Sequence, residues 1–263
     1  MLVLESISFI IFGLILGSFA TAIIHREPQK ISWGLGGEKP AQEKPHRSAC
    51  QSCDQPLLFR DLVPVFSWLL LKGKCRHCQT KISPGYLWIE LGCAITALLV
   101  YLSFGMAIHS AFLLIVLPFL AALLVIDLRH MILPNKLVLM VGVIGMLRLV
   151  IEGFVFETIN PAIVGMNYVF AAFMYAGLAL LLSWFFRSVF KKEALGFGDV
   201  KFFAVAGLWL GLFNLSYFCI GAGILGVIVA IIWKAVKKES VFPFGPALIL
   251  SFYGLLLLDG SLF

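Results

Sequence analysis

Charge is what this chain has least of. Only 13% of its residues are Asp, Glu, Lys or Arg, against 61% hydrophobic, and its mean hydropathy is +1.00. No soluble domain hides that much apolar surface, so the composition excludes a water-soluble globule and requires a polytopic membrane protein. None of the apolar runs alternates polar with apolar residues, which excludes a membrane β-barrel and leaves helices. There is no acidic or basic tail, no low-complexity tract and no clear internal repeat. The first Lys or Arg is Arg26, so the basic start of a secretory signal is missing, although Ala20-Thr21-Ala22 resembles a cleavage site. Residues 6–24 therefore read as a retained first span with its N-terminus outside. The net charge of +6 could point to nucleic acid, but basic cytoplasmic loops account for it in a membrane protein, and no nucleic-acid partner is expected.

Runs long enough to cross a bilayer lie near 6–24, 87–105, 108–126, 133–151, 162–186, 200–213, 215–233 and 244–258. The expected fold is thus all-α, with about eight transmembrane helices; 200–213 and 244–258 are short. Basic residues set the orientation. Segment 25–86 holds ten Lys and Arg, 127–136 two, 187–201 four and 234–240 three, which is 19 of the 20; Arg148 is the exception. Runs 1–5, 152–161, 211–217 and 259–263 hold none. Both termini outside and four cytoplasmic loops fit this alternation. Trp88, Trp184 and Trp233 fall near cytoplasmic ends of their spans, as an aromatic belt does. The expected parts are a first helix (1–24), a cytoplasmic segment (25–86) and a seven-helix membrane domain (87–263). The stretch Trp33-Gly34-Leu35-Gly36-Gly37-Glu38-Lys39-Pro40 reads as loop. Gly13 and Gly17 form a small-xxx-small pair for helix packing.

Within 25–86 stand two CxxC pairs, Cys50/Cys53 and Cys75/Cys78. Two such knuckles suit one tetrahedral Zn²⁺, each giving two thiolates from a tight turn. Two disulfides are the competing use, but the segment faces the reducing cytosol. A four-Cys site is closed and structural, and a segment of about 60 residues with so little aliphatic core needs such a staple. His77 reads as a surface residue, Cys93 and Cys219 as buried apolar ones.

Two carboxylates mark the membrane part. Asp127 ends the third span, and Asp199 begins the sixth within Gly196-Phe197-Gly198-Asp199-Val200-Lys201. A charge at membrane depth is costly and marks a functional site by default. Taken singly, Asp127 could pair with Arg129 and Asp199 could be a helix N-cap. Together they reach one face at similar depth, where two aspartates sharing a proton form the machinery of an aspartic protease. Gly196 and Gly198 leave bare backbone for an extended substrate, and Lys201 stands beside them or anchors its helix at the lipid surface.

These motifs, in this order, resemble the bacterial type IV prepilin peptidases (prepilin leader peptidase/N-methyltransferases). The resemblance starts with Gly17-Ser18-Phe19 and His25-Arg26-Glu27-Pro28. It runs through both Cys pairs, Pro64-Val65-Phe66-Ser67-Trp68, Gly73-Lys74-Cys75-Arg76, Tyr86 and Glu90. It continues with Asp127 to Pro134 and Gly196 to Lys201, and ends with Pro243-Phe244-Gly245-Pro246. It implies a membrane aspartic endopeptidase of the bacterial inner membrane, with Asp127 and Asp199 as catalytic residues. Its substrates would be prepilins and pseudopilins, cut on the cytoplasmic side just before an apolar helix. It further implies methylation of the new N-terminus from S-adenosylmethionine, a role tied to segment 25–86. Thr21, Gly85-Tyr86-Leu87 and Asn135 depart from the usual asparagine, Arg-Tyr-Pro and aspartate. Glu90 is a candidate for binding a basic leader, or a partner for Arg or Lys of the zinc segment, the second being favoured. A peptidase without methylation, its zinc segment purely structural, is one alternative. A channel or transporter with Asp127 and Asp199 on an ion path is another; their place at one surface rather than midway speaks against it.

Overall fold

The computed structural model describes residues 2–28, 48–50, 52–155, 161–191, 195–239 and 241–258. The loop Trp33–Pro40 and the basic residues Lys30, Lys39, Lys44, Arg47 and Lys192 lie outside the described residues. Among those described, nine helices occur and no strand is longer than an isolated bridge. They are α1 (Leu2–Arg26), α2 (Phe66–Leu70), α3 (Gly85–Phe104), α4 (Ile108–His130) and α5 (Asn135–Val155), then α6 (Pro161–Phe190), α7 (Phe197–Leu210), α8 (Leu215–Lys237) and α9 (Gly245–Leu258). Apart from the short α2, each helix occupies one of the eight predicted apolar runs. Six are long and apolar enough to cross a membrane. The other two, α7 and α9, have 14 residues each. At 1.5 Å per residue they reach about 21 Å, less than a hydrocarbon core of about 30 Å. The protein is an all-α, multi-pass membrane protein.

The chain forms two compact units, Met1–Gly105 and Met106–Phe263. In the first, α1 lies along α3 at close range because small residues line the seam. A Cβ at Gly13 would stand 2.7 Å from Ala94 Cα, and one at Gly17 would stand 2.6 Å from Glu90 Cα. Without a hydrophobic force between helices in lipid, such backbone proximity is how dispersion contacts hold them. Ala20, Ile23, Ala97 and Val100 are fully buried in this seam. The helix runs unbroken through Ala20-Thr21-Ala22.

In the second unit α7 is the centre. It packs against α5, α6 and α9, and eight of its 14 residues are buried. Phe202 and Trp209 meet Phe252 of α9 edge-on, with ring centroids 5.5 and 6.1 Å apart, while Phe203 meets Phe218 of α8 at 5.1 Å. A Cβ at Gly207 would stand 2.7 Å from the Ala171 carbonyl, so α6 and α7 touch backbone to backbone. Arg148, the basic residue outside the predicted loops, is fully buried here. It pairs with Glu152 one turn on at 2.9 Å, donates to the Trp209 carbonyl at 3.1 Å, and lies over the Trp209 ring. Glu152 also meets His109 at 3.0 Å. Arg148 is thus a neutralised structural charge at the carbonyl end of α7, where a cation is favoured.

Replacing Gly17 by Leu should push α1 off α3 and lower the stability of the detergent-purified protein by about 1–3 kcal/mol, read as a fall in thermal midpoint. Gly92→Ala, where a Cβ meets nothing within 4 Å, should leave the midpoint unchanged or raise it.

Candidate active site and metal centre

Four sulfurs meet in the first unit. The Sγ atoms of Cys50, Cys53, Cys75 and Cys78 all lie within 4.8 Å of one another. Both turns are built alike. The Cys50 amide donates to Gln55 O and the Asp54 amide to Cys50 O; the Cys75 amide donates to Thr80 O and the Gln79 amide to Cys75 O. Asp54 and Gln79 both take the left-handed conformation that closes the turn. Bridges Ala49↔Pro56 and Lys74↔Lys81 complete two matching knuckles. Cys50 Sγ and Cys78 Sγ are 3.8 Å apart, the edge of a tetrahedron whose metal–sulfur bonds are about 2.3 Å. Hydrogen bonding with the side chain and amide of Thr80 brings the Cys78 thiol down to about 6, so it offers a thiolate near neutral pH. Donor type, number and spacing fit one Zn²⁺. His77 is exposed and outside the cluster; Cys93 is buried, and Cys219 is half-buried. Arg76 of the second knuckle pairs with Asp61 at 2.8 Å. Burial opposes the Asp61 charge, yet the hydrogen bond and charge of Arg76 outweigh it and hold the carboxyl below its usual range.

Glu90 is buried at 8% exposure. Its carboxylate accepts a hydrogen bond from the Val65 amide at 2.7 Å and one from the Ser18 side chain. Among the described residues no Arg or Lys pairs with it; Lys30, Lys39, Lys44 and Arg47 of segment 25–86 lie outside them. Val65 has φ 61°, a costly conformation for a β-branched residue, and the Glu90 bond helps to fix it.

The second unit holds both aspartates. Asp127 lies in the last turn of α4 and is 5% exposed. The helix ends there because Met131 takes a left-handed cap, its amide donating to the Asp127 carbonyl at 2.8 Å. The Asp127 carboxylate accepts the Gly245 amide, the first of α9, at 2.9 Å. A Cβ at position 245 would stand 2.6 Å from that oxygen, so any larger residue there would displace the carboxylate. Asp199 is half-buried in the first turn of α7, and its carboxylate accepts the Gly196 amide at 3.0 Å. Gly196 is therefore the N-cap, and Asp199 reaches back from the third helical position, which corrects the reading of Asp199 as the cap itself. No ion pair joins Asp127 to Arg129 among the described residues.

The glycines differ. Gly196 is exposed, whereas Gly198 faces the loop before α5, where a Cβ would stand 3.1 Å from Leu133 Cβ. Leu133 also lies against Gly245, so it wedges between the starts of α7 and α9. Lys201 donates to Asn135 Oδ1 at 2.8 Å and lies over the Phe197 ring, tying α7 to the first residue of α5. Gly245 and Leu133 are the site residues that sequence reasoning did not single out. Gly245 had been noted only as part of Pro243–Pro246, and its glycine-proline pair at the start of a span was the available signal.

Such a fold, with two carboxylates at one end of a helical membrane unit, belongs to the class of membrane peptidases once the comparisons are added. The profile of the bacterial peptidase A24 N-terminal domain matches residues 11–104, and that of the type IV leader peptidase family matches residues 113–231. The chain belongs to the type IV leader peptidase family. It is 35% identical over 252 residues to the prepilin leader peptidase/N-methyltransferase of Pectobacterium carotovorum subsp. carotovorum, covering 90% of this chain and 87% of the relative. It is 36% identical over 244 residues to the type 4 prepilin-like proteins leader peptide-processing enzyme of Escherichia coli O78:H11, with the same coverage. With the Vibrio cholerae serotype O1 prepilin leader peptidase/N-methyltransferase it shares 32% over 248 residues, covering 94% of each chain. No solved structure matches it.

One zinc per chain is expected by elemental analysis of the purified protein, and Cys50→Ser or Cys75→Ser should lose it. A fully folded, metal-free preparation would contradict the site. Gly245→Ala should lower peptidase turnover by about a hundredfold by displacing the Asp127 carboxylate, while Gly254→Ala, with open space around it, should not.

Proposed function

We propose that this protein cleaves the leader peptides of type IV prepilins and pseudopilins at the cytoplasmic face of the bacterial inner membrane, with Asp127 and Asp199 as the catalytic pair. The observation that supports this reading is that two carboxylates on helices far apart in sequence are each held by a glycine amide at a helix start, with Leu133 standing against both of those starts. In such a pair one carboxylate, ionised, takes a proton from water as it attacks the scissile carbonyl. The other, protonated, polarises that carbonyl, and the departing amine gains a proton as the bond breaks. A cytoplasmic orientation is supported by charge: Arg129, Lys136 and Lys201 lie at the dyad end of α4, α5 and α7, and basic residues mark the inner side.

The exposed backbone at Gly196 is where an extended leader would lie against the dyad, with Phe197, 68% exposed, beside it. Lys201, tied to Asn135, holds this turn in place. Two helix starts below full membrane length fit a substrate that enters from the bilayer with its own apolar helix. The names of the relatives support a second activity, methylation of the new N-terminal amine, for which S-adenosylmethionine supplies the methyl group. The cysteine cluster would then hold a structural zinc that orders the segment between α1 and α3.

The test is cleavage of a synthetic prepilin by the purified protein, with a pre-cleaved pilin offered in parallel for methylation. Asp127→Asn and Asp199→Asn should each lower cleavage by at least about 10³-fold, with methylation of the pre-cleaved substrate retained. Undiminished cleavage by either variant would remove that residue from the mechanism.

A further inference from the structure

The first unit holds a hollow of about 410 Å³ that neither the cysteine cluster nor the dyad uses. Trp68 lines it, held by a hydrogen bond from its ring nitrogen to the Ile82 carbonyl at 3.3 Å and by its close approach to Gly73. Its rim carries Lys72, Lys74 and Lys81. Lys74 and Lys81 stand opposite each other across the second knuckle's bridge, an arrangement of like charges that costs stability. Among the described residues none of the three lysines has an acidic partner. Lys72 and Gly73 both take positive φ, 50° and 66°, so the turn that presents the rim is held in a restricted conformation. The wall ends at Pro84, immediately before the membrane helix α3. Trp88, one turn into that helix, is 68% exposed, as at a lipid interface. The hollow is therefore at headgroup level, and its chemistry calls for an anion.

We infer that this hollow is a binding site for the phosphate headgroup of an anionic phospholipid. The phosphate relieves the Lys74–Lys81 repulsion, Lys72 closes over it, and the exposed Leu69 and Leu70 of α2 meet the acyl region beside it. An acidic lipid supplies both the charge and the depth that the site requires.

The test is native mass spectrometry of the full chain in detergent, titrated with phosphatidylglycerol or phosphatidylcholine. Phosphatidylglycerol should be retained at one molecule per chain above the phosphatidylcholine level. Lys74→Gln with Lys81→Gln should weaken it by about fivefold per lysine, with zinc content unchanged. Lys74→Arg with Lys81→Arg should preserve binding. Lys237→Gln with Lys238→Gln, the same charge change elsewhere, should not alter it. Equal weakening by the two glutamine pairs would reduce the effect to diffuse charge and overturn the site. Equal retention of phosphatidylcholine, or displacement by inorganic phosphate in large excess, would overturn the lipid assignment.

Discussion

A carboxylate next to a bilayer must find hydrogen-bond donors inside the protein, because water is scarce and an unsatisfied charge is costly. Here the donors are backbone amides at helix starts. Asp127 takes the first amide of α9, and Asp199 takes the amide of the residue that caps α7. Helix N-termini suit anions, since their amides are unpaired and the dipole is positive there. Both donors stand at the starts of short helices of 14 residues. The need for a donor also favours glycine at 245, where a side chain would push the carboxylate oxygen aside.

The packing of the second unit follows from keeping α7 in register. Its N-terminal turn is held by Leu133 against Gly198 and by Lys201 on Asn135. Its far end is held by Arg148 on the Trp209 carbonyl, by the Trp209 ring nitrogen on the Val141 carbonyl at 3.0 Å, and by the Tyr175 hydroxyl on the Gly211 carbonyl at 3.0 Å. Between them, Phe202 and Phe203 fix its rotation against α9 and α8. A buried Arg148–Glu152–His109 cluster, costly if any partner were missing, is retained at the end where its charge faces carbonyls.

Hydropathy was enough to place all eight apolar helices, the six long and the two short, because each is a continuous apolar run. The four cysteines were legible from their spacing, since a CxxC turn is local. Asp127 and Asp199 were legible as carboxylates expected at one face; their glycine-amide partners depend on how the helices pack and were not. Gly245 lies 118 residues from the carboxylate it serves, and no period or spacing signals such a contact. Arg148 and Glu152 sit one turn apart, a readable pair, but His109 joins from another helix. The amide partner of Glu90, from Val65 25 residues away, was not legible, because nothing local marks it.

The proposed peptidase chemistry requires the two amide-held carboxylates to act as one unit. Groups that act together lose their effect together, so their deletions do not multiply. The decisive measurement is the single-turnover cleavage rate of a synthetic prepilin by Asp127→Asn, Asp199→Asn and the double variant. A shared site predicts that the double variant is no slower than the slower single variant. Losses that multiply in the double variant would show two carboxylates working independently and would contradict the dyad.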